Sequence, residues 1–172
     1  LEFPTWRRLD LQRAFESLGV QPFPPQAAKS CWFFNRPEPW IMSDDIGYAL
    51  THDIFYLTDF GRDVTQLPSE CIRYLEDWLP SWLGIFLKRP NWDLVAELLM
   101  VGSCLRSEAS TEYYEALLSA AEDDGLVPSP PGSGAQLIAL EEDVEPRRRR
   151  FLSNYHTCLV SCMALGMRKL RE

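Results

Sequence analysis

Between Ser43 and Phe60 the chain carries Asp, Tyr and His residues at spacings that gather them on one side of a helix. At roughly 100° per residue, Asp45, Tyr48, Tyr56 and Asp59 all fall within about 40° of His52. Ile46, Leu50, Ile54 and Leu57 collect on the other side as an aliphatic face. A solvated face is ordinarily filled with Lys, Arg and Glu, and the segment from Asp44 to Phe60 contains none of these. Tyr and His suit a surface that is half apolar and needs hydrogen bonds. A His with a carboxylate within two turns can be oriented and tuned for proton transfer near neutral pH. The stripe is therefore expected to form a pocket wall. In it His52 acts as acid or base, Asp59 or Asp45 orients it, and Tyr48 and Tyr56 line the cavity. The competing expectation is a buried helix in which the imidazole and the phenols satisfy one another.

The second imidazole, His156, lies in FLSNYHTCLVSCMALG beside Tyr155 and two residues before Cys158. Because the chain holds only these two His, His156 is a candidate to face His52 across a hairpin. The expected catalytic set is His52, Asp59, Tyr56 and His156, with Asp45, Tyr48 and Tyr155 as ligand contacts. Cys158 and Cys162 are one turn apart and could join His156 on zinc. Their neighbours Leu159, Val160 and Met163 favour inert buried thiols instead, so no metal and no cofactor are expected. Asp93 and Glu97 also lie one turn apart. Paired carboxylates can do acid–base work, but acids in a first helical turn ordinarily answer the helix dipole. The run Arg147–Arg150 follows Glu141, Glu142, Asp143 and Glu145, and reads as a solvated, locally compensated helix start. There is no Gly-rich phosphate loop, no GxSxG elbow and no CxxC pair.

The elements that would position these groups are helical. Asp10–Leu18 reads as a short helix capped by Asp10 and stopped by Gly19. Residues 21–42 are a Pro-rich connector, anchored by Cys31-Trp32-Phe33-Phe34. A second helix runs Asp44–Phe60, capped by Ser43 and ended by Gly61. A third runs from Pro68-Ser69-Glu70 to Lys88, and Pro80 should kink or split it near Leu79. A fourth, capped by Asn91, runs from Trp92 to Arg106 with Leu94, Val95, Leu98, Val101 and Leu105 on one face. A fifth spans Glu112–Asp123, a loop occupies 126–145, and a sixth spans Pro146–Leu170. No stretch alternates with period two, so no strand is expected. Short links make neighbouring helices antiparallel. The expected fold is all-α, with antiparallel helical hairpins, about six helices, and a partial α/α-toroid-like or irregular bundle arrangement.

A chain of 172 residues fits one domain, 1–172, with a sizeable core. A hydrophobic fraction of 46% and an aromatic fraction of 12% belong to a folded chain. The net charge of −8 disfavours nucleic acid and anionic membrane surfaces, which call for a basic face. Five scattered Cys imply no disulfide framework and point to a cytoplasmic setting. The opening LEFPTW lacks an initiator Met, which suggests the C-terminal part of a longer protein.

Two segments, ALTHDIFYLTDFG (Ala49–Gly61) and NYHTCLVSCMA (Asn154–Ala164), resemble an uncharacterised all-helical family of actinomycete bacteria. That resemblance covers Leu9 to Leu170 and implies an array of helical hairpins, with an additional N-terminal hairpin in other members. EYYEALLSAAEDDGLVPSP (Glu112–Pro130) is more weakly similar to hairpins of α/α-toroid proteins, which include terpenoid cyclases, lanthionine cyclases and glycosidases. A closed toroid needs about twice the helices expected here, so that similarity informs fold alone. The Asp-rich cyclase motif and the Cys/His zinc set of those groups have no match.

Taken together, these features predict a small-molecule-processing or ligand-binding helical domain in bacterial specialised metabolism, using a His/Asp/Tyr cluster. The alternative is a non-catalytic protein–protein interaction module whose aromatic surface (Trp78, Trp82, Trp92) receives a partner. A homo-oligomer is compatible with either.

Overall fold

The computed structural model describes residues 3–107, 109–139 and 144–169. These residues form seven α-helices and no strand: α1 (Thr5–Ser17), α2 (Asp44–Leu57), α3 (Ser69–Lys88), α4 (Trp92–Leu105), α5 (Thr111–Ser119), α6 (Ala135–Ile138) and α7 (Pro146–Lys169). The all-helical expectation holds. No helix among the described residues is long and apolar enough to cross a membrane. The chain divides into two compact units, one of Leu1–Trp82 with Val101–Glu108, the other of Leu83–Met100 with Ala109–Glu172.

In the first unit, α1 starts five residues before the expected Asp10, with Arg7 and Arg8 N–H donating to the Pro4 carbonyl. Asp10 pairs with Arg7 at 3.3 Å instead of capping. The Pro-rich connector folds into three 3₁₀ turns, Ala27–Ser30, Trp32–Asn35 and Pro39–Ile41. It is anchored as expected, with Ala28, Cys31 and Phe33 buried. Trp82 is also buried, and its indole N–H donates to the Pro39 carbonyl at 3.0 Å. It therefore cannot belong to the aromatic surface expected of it; Trp78 is exposed and Trp92 is intermediate.

Helix α2 begins where its cap requires, because the Ser43 hydroxyl accepts from the Ile46 N–H at 3.3 Å. Ser43→Ala should cost about 1 kcal/mol, read as a lower midpoint in urea unfolding followed by circular dichroism. Its end differs from expectation. The helix stops at Leu57, and Asp59, Phe60 and Gly61 all take positive φ. Thr58 turns the chain by donating to the Ile54 carbonyl and accepting from the Gly61 N–H. Arg13 of α1 donates to the Tyr56 and Leu57 carbonyls, answering groups a helix end leaves open. A Cβ on Gly61 would lie 3.0 Å from the Cys104 Cα, which fixes this tight exit.

Helix α3 continues through Pro80 as one helix, so of the expected kink or split the split does not occur. Proline removes one N–H and its ring crowds the preceding turn, but Pro80 lies on the exposed face, where the turn can yield.

Helix α4 is capped as expected, the Asn91 side chain accepting from the Leu94 N–H at 3.1 Å. It has no solvent side: every residue from Asp93 to Leu105 is buried. The single apolar face expected of it was too narrow a description, since a helix apolar all round is a core helix. In the second unit, α5 is shorter than expected, and the 126–145 loop contains the one-turn helix α6. Four residues are too few to show helical periodicity. Gly134 starts α6 in the left-handed region (φ +73°), and a Cβ there would run into the Leu152 carbonyl oxygen. The loop thus rests backbone to backbone on α7.

Helix α7 opens with Pro146 at its first position, and the Glu145 carboxylate accepts from the Arg148 N–H at 3.1 Å. Arg150 pairs with Glu122 and Asp124, so compensation of the basic run includes acids from another segment; Glu141, Glu142 and Asp143 lie outside the described residues, as does Leu170. Two of the cysteines, Cys158 and Cys162, are not the buried thiols expected. Cys31, Cys71 and Cys104 are buried, Cys158 is intermediate and Cys162 is exposed.

Candidate functional site

The second unit brings two buried carboxylates and an imidazole together. Asp93 and Glu97, one turn apart on α4, are only 4% and 1% exposed. From α7, His156 brings its Nε2 to 3.7 Å from Asp93 Oδ2 and 3.8 Å from Glu97 Oε1. These three groups could share a metal ion, their ligand atoms lying within 4.8 Å of one another. The neighbouring carboxylates, Glu97 most and Asp93 as well, push the His156 pKa above its ordinary value against the opposing effect of partial burial.

A chain of hydroxyls fixes the arrangement. Thr157 donates to Asp93 Oδ1 at 2.8 Å and lies 2.6 Å from the Ser129 hydroxyl. Having given its one proton to the carboxylate, Thr157 must accept from Ser129. The Ser129 N–H in turn donates to the Asn154 side chain at 2.9 Å, and the Val127 N–H to the Cys158 sulfur at 3.3 Å. One face of α7 thereby ties down the 127–129 segment while orienting Asp93.

His156 is half-exposed and opens onto a groove of about 620 Å³. The groove is lined by residues 132–137 and by Leu152, Ser153, Tyr155 and His156. Tyr155 and His156, both expected at a site, thus share one wall, their rings 6.4 Å apart in an edge contact. Two buried carboxylates behind a reachable imidazole can hold a proton or a cation for something in the groove.

The stripe on α2 takes a different form from the expected one. His52 Nδ1 lies 2.8 Å from the Tyr48 carbonyl, and the ring packs against Trp6, Phe55 and Tyr56. Asp45 is exposed in the first turn of the helix. Asp59 lies beyond the helix end, so it is not on the stripe; it pairs with Arg62 at 3.2 Å. Tyr56 and Asp59 do line one cavity, of about 380 Å³, together with Arg13 and Arg62. His52 lies in the first unit and His156 in the second.

Two groups carry more than the sequence assigned them. Asp93 and Glu97, which their place in the first turns assigns to the helix dipole, are carboxylates inside an otherwise apolar helix and must find partners. Asp53, between His52 and Ile54, is 2% exposed. Its carboxyl is pushed up to about 7, chiefly by burial, while the Cys31 thiol, the Trp32 N–H and Arg8 pull it down.

No curated protein and no solved structure matches the chain. A family model described as a domain of unknown function, DUF6895, matches residues 1–166. Spanning nearly the whole of this all-helical chain, that match makes it a member of the DUF6895 family.

Proposed function

We propose that the chain is a small-molecule-binding or small-molecule-processing helical domain whose chemistry is carried by His156 with Asp93 and Glu97. One observation supports this above the others: a half-exposed imidazole on the wall of a groove, backed by two carboxylates that are almost wholly buried. Burial of two acids is costly unless partners compensate them, and one of the groups beside them, His156, faces a space that a ligand can enter. Tyr155 supplies an aromatic contact on the same wall. On this reading the chemistry rests on α4 and α7, and not on the His52 stripe of α2 that the sequence suggests. The actinomycete resemblance adds a setting, bacterial specialised metabolism, to the same proposal.

A library of polar fragments screened by protein-observed NMR tests it. Binders should shift the amides of Gly134, Leu152, Ser153 and His156. Gln136→Trp, which fills the groove from an exposed position, and His156→Ala should each weaken binding at least tenfold, while His52→Ala leaves it unchanged. Fragments that gather instead around Tyr56 and Asp59, with the groove silent, would overturn it in favour of the α2 stripe.

A second reading is favoured by the apolar stripe of α7. Phe151, Tyr155 and Leu159 are 55%, 39% and 54% exposed at one-turn spacing, as an interaction surface is. A dimer at micromolar concentration in sedimentation velocity, lost in Leu159→Asp, would support that module.

A further inference from the structure

The separation between His156 and the two carboxylates is the informative quantity. At 3.7 and 3.8 Å the atoms are too far apart for a direct hydrogen bond, yet too close to hold anything large between them. Two ligand atoms each about 2.1 Å from one shared cation lie roughly 3.4–3.8 Å apart at bond angles of about 110–130°. The geometry points to a divalent transition-metal site in which Asp93 and Glu97 give one carboxylate oxygen each and His156 gives Nε2.

Three further features suit such a site. The ligands come from rigid helices, two of them one turn apart on α4 and the third on α7. A second layer is present, because Thr157 holds Asp93 Oδ1 at 2.8 Å, leaving Oδ2 as the atom that faces His156. Hydrogen-bonded partners of this kind orient metal ligands and tune their basicity. Finally, three protein ligands leave a coordination position, and His156 borders the groove from which a small molecule would reach it. That is the pattern of a site that binds or activates a ligand, whereas structural zinc sites are closed by four protein ligands. The donor set of two carboxylates and one imidazole favours Zn²⁺, Mn²⁺ or Fe²⁺ over Mg²⁺ and Ca²⁺, which prefer oxygen alone. The inference rests on the placement of the site proposed above, and adds what occupies it.

Co²⁺ titration of the full chain, followed by visible absorption, reads the ligands directly. One equivalent of Co²⁺ should bind with d–d bands typical of nitrogen and oxygen donors and no thiolate charge-transfer band, and Zn²⁺ should displace it. Glu97→Gln and His156→Ala should each weaken binding at least tenfold, while the double variant Cys158→Ser, Cys162→Ser should leave it unchanged. His156 is half-exposed, so its replacement should fold, and the wild-type spectrum is decisive even where a variant does not. No stoichiometric binding, a thiolate band, or binding unaffected by both ligand substitutions would each overturn the site. Fragment binding in the groove without cation binding would defeat this inference alone. Cation binding with no groove ligand would leave the metal site standing and remove the small-molecule proposal.

Discussion

Replacing Asp53 by Asn should remove a large part of the pH dependence of stability and make the protein more stable above neutrality. The carboxyl is buried in the first unit, and its Oδ1 has no hydrogen-bond partner among the described residues. Its pKa is raised from 3.8 to about 7, chiefly by burial. Between those values the folded protein keeps a proton that the unfolded chain releases, so stability falls as pH rises. It is fully present below about pH 4 and lost by the time pH passes about 7. A span of about three pH units at roughly 1.4 kcal/mol each makes the total about 4 kcal/mol. Working above the isoelectric point of about 4.8, urea unfolding at pH 5.5 and pH 8 samples about half of it, ~2 kcal/mol. The wild-type stability should fall across this interval by that much more than the Asn variant's. Parallel profiles for the two proteins would show that Asp53 does not carry this proton. The Cys31 thiol beside it, itself pushed up by burial and by Asp53, stays protonated throughout and does not confuse the comparison.

Gly134→Ala should be the most damaging small substitution in the second unit. Two costs combine there. An L-residue in the left-handed region costs about 1–2 kcal/mol, and the added methyl runs into the Leu152 carbonyl oxygen. Backbone of α7 cannot yield as a flexible side chain would, so the loop must lift, at a further cost of roughly 1–3 kcal/mol. The expected result is a loss of about 2–5 kcal/mol in urea unfolding, with fast amide exchange at residues 134–138. Gly132 provides the internal control. It has φ +86° but nothing within 4 Å of its would-be Cβ, so Gly132→Ala should cost only the conformational part, about 1 kcal/mol. Equal losses in the two variants would mean that the contact with α7 contributes nothing.

Both expectations concern properties that local sequence patterns describe poorly. Ser43 and Asn91 were legible as caps because the cap, its bonded N–H and the spacing between them all lie within one turn. The start of α3 was legible from residues just as local, Pro68-Ser69-Glu70. The end of α2 was not: Gly61 is a natural stop, but Thr58 turns the chain earlier by bonding both ways along it, and Arg13 satisfies the last carbonyls from a distant helix. That shift carried Asp59 off the stripe. Helical angles computed across such an end lose their meaning, because φ changes sign at that residue.

The His156 site shows the same division. An all-helical chain, two imidazoles on different helices, and Asp93 and Glu97 one turn apart could all be read from the residues alone. Each follows from periodicity and composition acting over a few residues. The burial of Asp93 and Glu97, the hold of Thr157 and Ser129 on one of them, and the approach of His156 rather than His52 to the acids emerge with the packing. The reason is physical. Burial and partner choice depend on which surfaces pack together across long separations, 64 residues from Asp93 to Thr157, and hydrophobic burial is not directional enough to encode such pairings locally. The Tyr48, His52 and Tyr56 stripe shows the converse: a chemically suggestive pattern on one helix face is just as well met by packing, here against Trp6.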